Sequence, residues 1–289
     1  MMNPTILANQ RIEGESSFAK AESLVDAHGR VLDYLRISVT DRCNLRCRYC
    51  MAEEGVPLLP HDAILTYEEI VQIARAAARR GVKKLRITGG EPLVRREIET
   101  LVRMLSTIEG VEDLAMTTNG VLLAQHASAL ADAGLRRVNV SLDTVVSQRF
   151  AEVTRGGDLF KVFEGIKAAR DAGLNPIKLN CVVTESSTPS DLEGVKQFAA
   201  AAGLSVRFIR QMHLPSGVFS VVEGGAGGDC PQCNRLRLSS DGMLRPCLFS
   251  DLGFNVRELG AEEALRCATA EKPRAGSCCT TYPMSRIGG

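Results

Sequence analysis

Residues 33–50 read DYLRISVTDRCNLRCRYC: a short apolar run, Leu35–Val39, followed at once by a polar turn and three cysteines within eight residues. Short runs of this kind recur along the chain. Lys84–Ile87, Leu114–Thr117, Val138–Leu142, Ile177–Val183 and Val206–Ile209 read as strands. Between them lie amphipathic stretches, Tyr67–Arg80, Arg95–Ile108, Leu122–Ala133, Leu159–Ala172 and Ser190–Ala202, that read as helices. Gly81, Gly134, Gly173 and Gly203 follow four of them as C-terminal stops, and Ser190 is the expected N-cap of the last. Strands alternating with helices imply a parallel sheet. Six units with no nucleotide-binding glycine fingerprint after the first strand favour a partial (βα)6 TIM-type barrel in the α/β class. In such a barrel the functional face lies at the C-terminal ends of the strands, where the three cysteines fall.

The rhythm breaks at Met212. Gly224-Gly225-Ala226-Gly227-Gly228 reads as a flexible link. Beyond it, Arg235–Leu238 and Met243–Leu248 flank Ser240-Asp241-Gly242, a hairpin signal, and a short helix is expected around Ala261–Thr269. The expected organisation is an N-terminal extension over 1–30, the partial barrel over 31–212, and a cysteine-rich C-terminal extension over 213–289.

Composition narrows the function classes. The chain has 289 residues, 45% hydrophobic, with a net charge of +1, so no global charge points to nucleic acid. Trp is absent and aromatics are 4%, too few for base-stacking platforms. No signal peptide or bilayer-spanning run is seen, which fits a cytoplasmic chain whose ten cysteines stay reduced for metal or redox chemistry.

Cys43-x3-Cys47-x2-Cys50 supplies three thiolates for three irons of a [4Fe–4S] cubane. The fourth iron is left free to chelate the amino and carboxylate groups of a methionine moiety, and one electron through it can cleave a sulfonium. A zinc site would still need a fourth ligand. After the second strand comes Ile87-Thr88-Gly89-Gly90-Glu91-Pro92, where the glycines permit close backbone approach and Glu91 can accept from an ammonium group of the bound substrate. A second set, Cys230-x2-Cys233-x13-Cys247, brackets the hairpin. Its spacing suits a zinc ribbon, with Cys267, Cys278 or Cys279 as fourth ligand, or a second cluster with an open iron. Arg235 and Arg237 share one strand face beside it, suited to a polyphosphate. Cys181 and Cys267 read as ordinary thiols. His61, His126 and His213 show no partner pattern.

With both sets in view the chain resembles the GTP 3′,8-cyclase family, radical S-adenosylmethionine enzymes of molybdenum cofactor biosynthesis. The resemblance runs from about Gly29 to Gly289. It is carried by Leu35–Ser38, Thr40–Asn44, Arg86–Pro92, Thr117–Gly120, Asn139–Asp143, Ile177–Asn180, Cys233–Leu238, Leu244–Phe249 and the terminal Met284–Gly289. It implies that Cys43, Cys47 and Cys50 hold one [4Fe–4S] cluster and Cys230, Cys233 and Cys247 a second, whose open iron meets the guanine base. Tyr49, Gly90, Ser141 and the Met212 backbone would contact S-adenosylmethionine, joined by Glu91 in the cofactor-binding set. Arg36, Arg86, Thr117, Lys178, Arg235 and Arg237 would contact GTP. It further implies a flavodoxin or ferredoxin as electron donor, cyclic pyranopterin monophosphate synthase as the next enzyme, a homodimer, and a Gly-Gly tail reaching toward the active site. No partner among nucleic acids or membranes is implied.

The chain departs from the family in an extra pair, Cys278-Cys279, near the tail, incidental or a source of a fourth cluster ligand, and more largely in one other place. Relatives carry several dozen more residues between the sixth strand and the second cysteine set, a part that helps complete the barrel wall. Its absence bears on the shielding of a carbon radical from solvent. Two other readings start from this shortening and from the altered barrel: a diverged two-cluster radical enzyme acting on another nucleotide or on a peptide, and a non-catalytic metal-binding remnant.

Overall fold

The computed structural model describes residues 23–281 and 284–287. Six parallel strands come first: β1 (Tyr34–Ser38), β2 (Lys84–Thr88), β3 (Asp113–Thr118), β4 (Arg137–Ser141), β5 (Lys178–Val183) and β6 (Ser205–Arg210). The connecting helices are α1 (Tyr67–Arg79), α2 (Ile98–Ser106), α3 (Leu123–Asp132), α4 (Ser147–Thr154), α5 (Leu159–Asp171) and α6 (Pro189–Ala201). The C-terminal region adds β7 (Arg235–Leu238), β8 (Met243–Arg245), β9 (Phe254–Asn255), α7 (Val256–Leu259), α8 (Ala261–Ala270) and α9 (Met284–Ile287). One sheet holds all nine strands in the order β6-β5-β4-β3-β2-β1-β7-β8-β9. β7 runs parallel beside β1, and only β8 and β9 are antiparallel.

Period-2 alternation along each strand sorts the side chains. Leu35, Ile37, Leu85, Ile87, Leu114, Met116, Val138, Val140, Leu179 and Cys181 turn outward and are buried under the helices, forming the main core with Ile70, Ile73 and Ala77 of α1 and Leu101 and Leu105 of α2. Cys181 is an ordinary core thiol. The opposite, inner face is polar and cationic. Helix termination follows the glycine signals: Gly81, Gly134, Gly173 and Gly203 take φ of +88°, +100°, +79° and +64°, which suits residues without a Cβ.

Local departures from the sequence reading have local causes. The N-cap of α6 is Thr188, not Ser190. Thr188 Oγ1 accepts from the Asp191 N–H, the Asp191 carboxylate accepts from the Thr188 N–H, and Pro189 occupies the first turn. Helix α2 starts three residues later than expected because Glu97 stands in the left-handed region at φ +54°. Helix α4 is absent from the sequence reading; its eight residues are too few to show a clear apolar stripe.

The sheet does not close on itself: β6 is one edge and β9 the other. The glycine-rich stretch is more than a link. Phe208 of β6 exchanges both backbone hydrogen bonds with Glu223, at 3.1 and 3.2 Å, and the Val222 N–H donates to the Gly227 carbonyl. A Cβ at Gly224 would lie 2.7 Å from the Val206 carbonyl oxygen, so glycine there lets the segment lie against the free edge of β6. Across the gap, Arg235 of β7 donates to the Ala226 carbonyl at 2.9 Å. A second, small apolar cluster, Leu214, Leu248, Phe249, Cys279 and Ile287, ties this segment to the hairpin and to α9, with Phe219 stacked on Phe249 at 4.5 Å. No helix among the described residues is long and apolar enough to cross a membrane. The expected Gly288-Gly289 tail and most of the 1–30 extension lie outside the described residues.

Candidate functional site

The cysteine loop is fastened to its neighbours mainly through backbone. Residues 40–42 run beside Gly89–Glu91: Gly90 N–H donates to the Thr40 carbonyl at 2.7 Å, and Glu91 N–H to the Arg42 carbonyl at 2.8 Å. A Cβ on Gly90 would stand 2.3 Å from that Arg42 oxygen, so only glycine allows the two loops to touch. From the other side, the Arg46 and Arg48 N–H groups donate to the Thr154 and Val153 carbonyls at the end of α4. Arg155 Nη1 donates to the Arg46 and Met51 carbonyls.

Glu91 is 1% exposed. Its carboxylate accepts from Thr118 Oγ1 at 2.7 Å, from the Asn119 N–H at 2.6 Å and from the Leu93 N–H at 3.1 Å. Burial pushes Glu91 up to about 7 against those three donors. In this arrangement it clasps the loops after β2 and β3 together instead of facing an open cavity. Asn119, placed by that clasp, donates to Asn44 Oδ1 at 2.8 Å and reaches Cys43 Sγ at 3.8 Å. Tyr49 donates to Asp143 Oδ2 at 2.8 Å, and Asp143 Oδ1 accepts from the Val182 N–H. Burial raises Asp143 to about 6. Ser141 lies at the C-terminal end of β4. Met212 follows β6 and packs against the small apolar cluster.

All three thiols of the loop are free and half-buried. Burial and the neighbouring acids push Cys47 up to about 12 and Cys50 to about 11, and Cys43 upward as well. A donor set of this kind gives up protons when it takes a metal. Among the described residues no three His, Cys, Asp or Glu side chains converge tightly enough to hold a single ion.

Cys230, Cys233 and Cys247 gather elsewhere. Cys233 precedes β7 and Cys247 follows β8, so parallel pairing of β7 with β1 puts this set at the N-terminal ends of the strands. The first loop stands at the C-terminal ends. About five residues of strand, roughly 16 Å, separate the two levels. Burial raises Cys247. It also opposes ionisation of Cys233, yet Lys272 and Arg235 outweigh it and bring that thiol down. Of the other cysteines, Cys279 is buried in the small apolar cluster and Cys278 is exposed.

Between the two levels the inner face carries a cationic row. Arg237, Arg36, Arg86, Ala115 and Arg137 are register partners across β7, β1, β2, β3 and β4. Thr117, Asn139 and Lys178 form a second row toward the C-terminal ends, and Arg86 Nη1 lies 3.5 Å from Thr117 Oγ1. Arg235 sits one step below, its guanidinium 5.6 Å from the Tyr34 ring centre, with that of Arg86 at 5.7 Å. Burial, aided by repulsion from neighbouring arginines, presses Arg36 down to about 9 and Arg86 and Arg237 to about 10. Nε of Arg86, Arg207 and Arg235 and Oδ1 of Asn139 and Asn180 are buried without a hydrogen-bond partner. Orphaned donors and acceptors of this kind fit a polyanionic, polar ligand. Thus Arg36, Arg86, Thr117, Lys178, Arg235 and Arg237 share one face. Arg207, Asn139, Asn180, Tyr34 and Arg137 were missed; the inward positions of strands already recognised were the signal that could have found them. Arg137 is paired with Asp113.

The radical SAM superfamily model matches residues 37–199. A GTP 3′,8-cyclase of Pelotomaculum thermopropionicum is 44% identical over 284 aligned positions, covering 81% of this chain and 87% of the relative. One of Moorella thermoacetica is 41% identical over 322 positions, covering 91% and 99%. Both alignments have more positions than the residues of this chain they take in, so both relatives carry several dozen residues with no counterpart here. Among solved structures, native anSMEcpe with bound AdoMet and a Kp18Cys peptide has a TM-score of 0.57 at 17% identity, covering 83% of this chain and 81% of that one. SuiB of Streptococcus suis has a TM-score of 0.55 at 15% identity, covering 83% and 68%. These two share the fold. By sequence, the chain belongs to the GTP 3′,8-cyclase family of the radical SAM superfamily.

Proposed function

We propose that the protein joins ribose C3′ of GTP to C8 of the guanine base, an early step of molybdenum cofactor biosynthesis, using S-adenosylmethionine and two [4Fe–4S] clusters. Membership of the superfamily carries S-adenosylmethionine and an iron–sulfur cluster with it. The second cluster is inferred from Cys230, Cys233 and Cys247. When bound, the first cluster and S-adenosylmethionine supply a hydrogen-abstracting adenosyl radical.

The chain's own residues bind, orient and shield. Cys43, Cys47 and Cys50 are assigned to the first cluster. Tyr49, Gly90, Ser141 and Met212 are assigned to the S-adenosylmethionine side of the cavity, with Glu91 holding that wall in place. Arg36, Arg86, Arg235 and Arg237, with Lys178 and Thr117 above, take the triphosphate. A tetra-anion beside this row relieves the mutual repulsion of the guanidiniums and supplies acceptors to the buried Nε–H groups of Arg86 and Arg235. Oδ1 of Asn139 and Asn180 can accept from ribose or base donors. The segment 213–228 covers the free edge of β6, excluding water from the side where the sheet is open.

The observation that carries this reading is the cationic row set between two cysteine triads at opposite ends of the strands. An anion anchored there has one end toward each triad. Anaerobic reconstitution with iron, sulfide, S-adenosylmethionine, reductant and GTP tests it. The expected result is a 3′,8-cyclised nucleotide together with 5′-deoxyadenosine; adenosyl cleavage without cyclised product rejects it. The same reading includes a flavodoxin or ferredoxin as reductant, cyclic pyranopterin monophosphate synthase as the enzyme that takes the product, and a homodimer.

A further inference from the structure

Two buried cations from opposite ends of the chain meet at the second triad. Lys272 is 3% exposed, and its ammonium donates to the Arg235 carbonyl at 2.8 Å and to the Pro246 carbonyl at 2.6 Å. Residue 235 lies two positions after Cys233, and residue 246 immediately precedes Cys247. The same ammonium is within hydrogen-bonding reach of Cys233 itself. Arg30, whose side chain is 8% exposed, donates to the Cys230 carbonyl at 2.7 Å and to the Pro273 and Arg274 carbonyls at 2.6 and 3.2 Å. Asp26 holds Arg30 at 2.6 Å. Gly276 completes the arrangement by crossing over Cys247, where a Cβ would lie 3.2 Å from Sγ. These bonds join the three cysteine-bearing segments to one another and to the loop 272–276. Burying a lysine and an arginine is costly unless each charge is met; hairpin carbonyls meet Lys272, and the Asp26 carboxylate with the carbonyls of 230, 273 and 274 meets Arg30.

We propose that Lys272 and Arg30 are positioning residues for the second triad: they fasten Cys230, Cys233 and Cys247 into a preformed cradle, and Lys272 offsets the negative charge of the loaded cluster. The proposal rests on the two-cluster reading above. A cation fixed beside an iron–sulfur cluster favours its reduced form, because reduction adds negative charge. Outer-shell partners that aim ligands are worth about tenfold to a hundredfold in metal affinity.

The test uses the full chain, reconstituted anaerobically. Wild type is compared with Lys272→Met, Arg30→Met and a Cys230/Cys233/Cys247→Ala triple variant. Iron per chain, chelator-driven iron release and redox titration followed by paramagnetic resonance are read out. The two-cluster reading expects about eight irons in wild type and about four in the triple variant; equal iron in these two overturns that reading alone. The proposal expects Lys272→Met either to fall to about four irons, or to keep about eight with the second cluster's potential shifted lower and the first unchanged. Arg30→Met is expected to release second-cluster iron about tenfold faster. It decides the matter where Lys272→Met does not fold. Unchanged release in Arg30→Met, or full loading with unaltered potentials in Lys272→Met, overturns the proposal.

Discussion

The loop carrying Cys43, Cys47 and Cys50 and the hairpin region carrying Cys230, Cys233 and Cys247 each present three thiols, by different means. The loop is continuous in sequence and is held mainly by backbone, from the Gly-Gly turn on one side and the end of α4 on the other. The hairpin set is split across the chain and is held by two buried side-chain cations. The electrostatics differ to match. Around the first set burial pushes all three thiols upward, helped by Glu91 at Cys43 and by mutual repulsion and Asp143 at Cys47 and Cys50; beside the second, Lys272 and the strand arginines bring Cys233 down. A local set can rely on close contact between loops. A set assembled across the sequence needs cross-links, and cations serve because they also balance thiolate charge.

The sharpest way to break this comparison is Gly90→Ala. The new methyl would stand 2.3 Å from the Arg42 carbonyl oxygen, which is backbone and cannot swing aside. Overpacking of this kind costs about 3 kcal/mol, and relief requires the cysteine loop to move off the Gly-Gly turn. The expected outcome is loss of the first cluster and of adenosyl cleavage, with the hairpin cluster retained. Iron analysis and a cleavage assay check it; normal cleavage would show that the contact between loops is dispensable.

Glu91 comes next. Its carboxyl is raised to about 7 in the fold from 4.5. The native state therefore holds its proton over a range where the unfolded chain has lost it. The resulting stability is fully present below about pH 4.5 and is lost as pH rises through about 7, amounting to about 3 kcal/mol. Denaturant melts of the metal-free chain between pH 5 and 8 should show this decline, and Glu91→Gln should flatten it. An equal slope in both proteins would place the titration elsewhere.

The thiols themselves sharpen the contrast. On the metal-free chain at pH 8, Cys233 should be alkylated about tenfold faster than Cys47 or Cys50. A larger thiolate fraction sets the direction, and the weaker nucleophilicity of a more acidic thiol trims the size. Site-resolved mass spectrometry of iodoacetamide labelling measures it, and equal rates would remove the electrostatic half of the comparison.

The same contrast explains what could be read in advance. Alternating apolar runs gave six strands to within one or two residues, because outward positions such as Leu35, Ile37, Val138 and Val140 are selected by burial under helices. Local spacing also made the first triad legible, and Arg235 with Arg237 was visible as a strand face. Partners brought together by pairing were not. Nothing near Lys272 or Arg30 announces that one meets the carbonyls at 235 and 246 and the other that of Cys230, since those contacts depend on β7 docking beside β1. Glu91 was read as open to a ligand because its motif is local, whereas its donors, Thr118 and Asn119, come from the next strand. The glycine run 224–228 looked like slack because close backbone approach and flexibility call for the same residue.

The smallest expected effect concerns the side-chain hydrogen bond from Tyr49 to Asp143 on the barrel wall. Tyr49→Phe removes the phenol that donates to Asp143 at 2.8 Å while leaving the ring in place. Asp143 is raised to about 6 by burial, and the Tyr49 bond is one of two donors working against that rise. The substitution should therefore move Asp143 higher still. Above pH 6, where wild-type Asp143 is ionised, a hydrogen bond to a charged acceptor is lost, at a cost of about 1.5 kcal/mol. Near pH 4 the carboxyl is protonated in both proteins and the difference shrinks to that of a neutral bond. Paired melts at pH 4 and pH 8 read this directly. A penalty that is the same at both values would mean that Tyr49 steadies the loop through its ring alone, leaving the backbone contacts from Gly90 and α4 to hold the first triad in place.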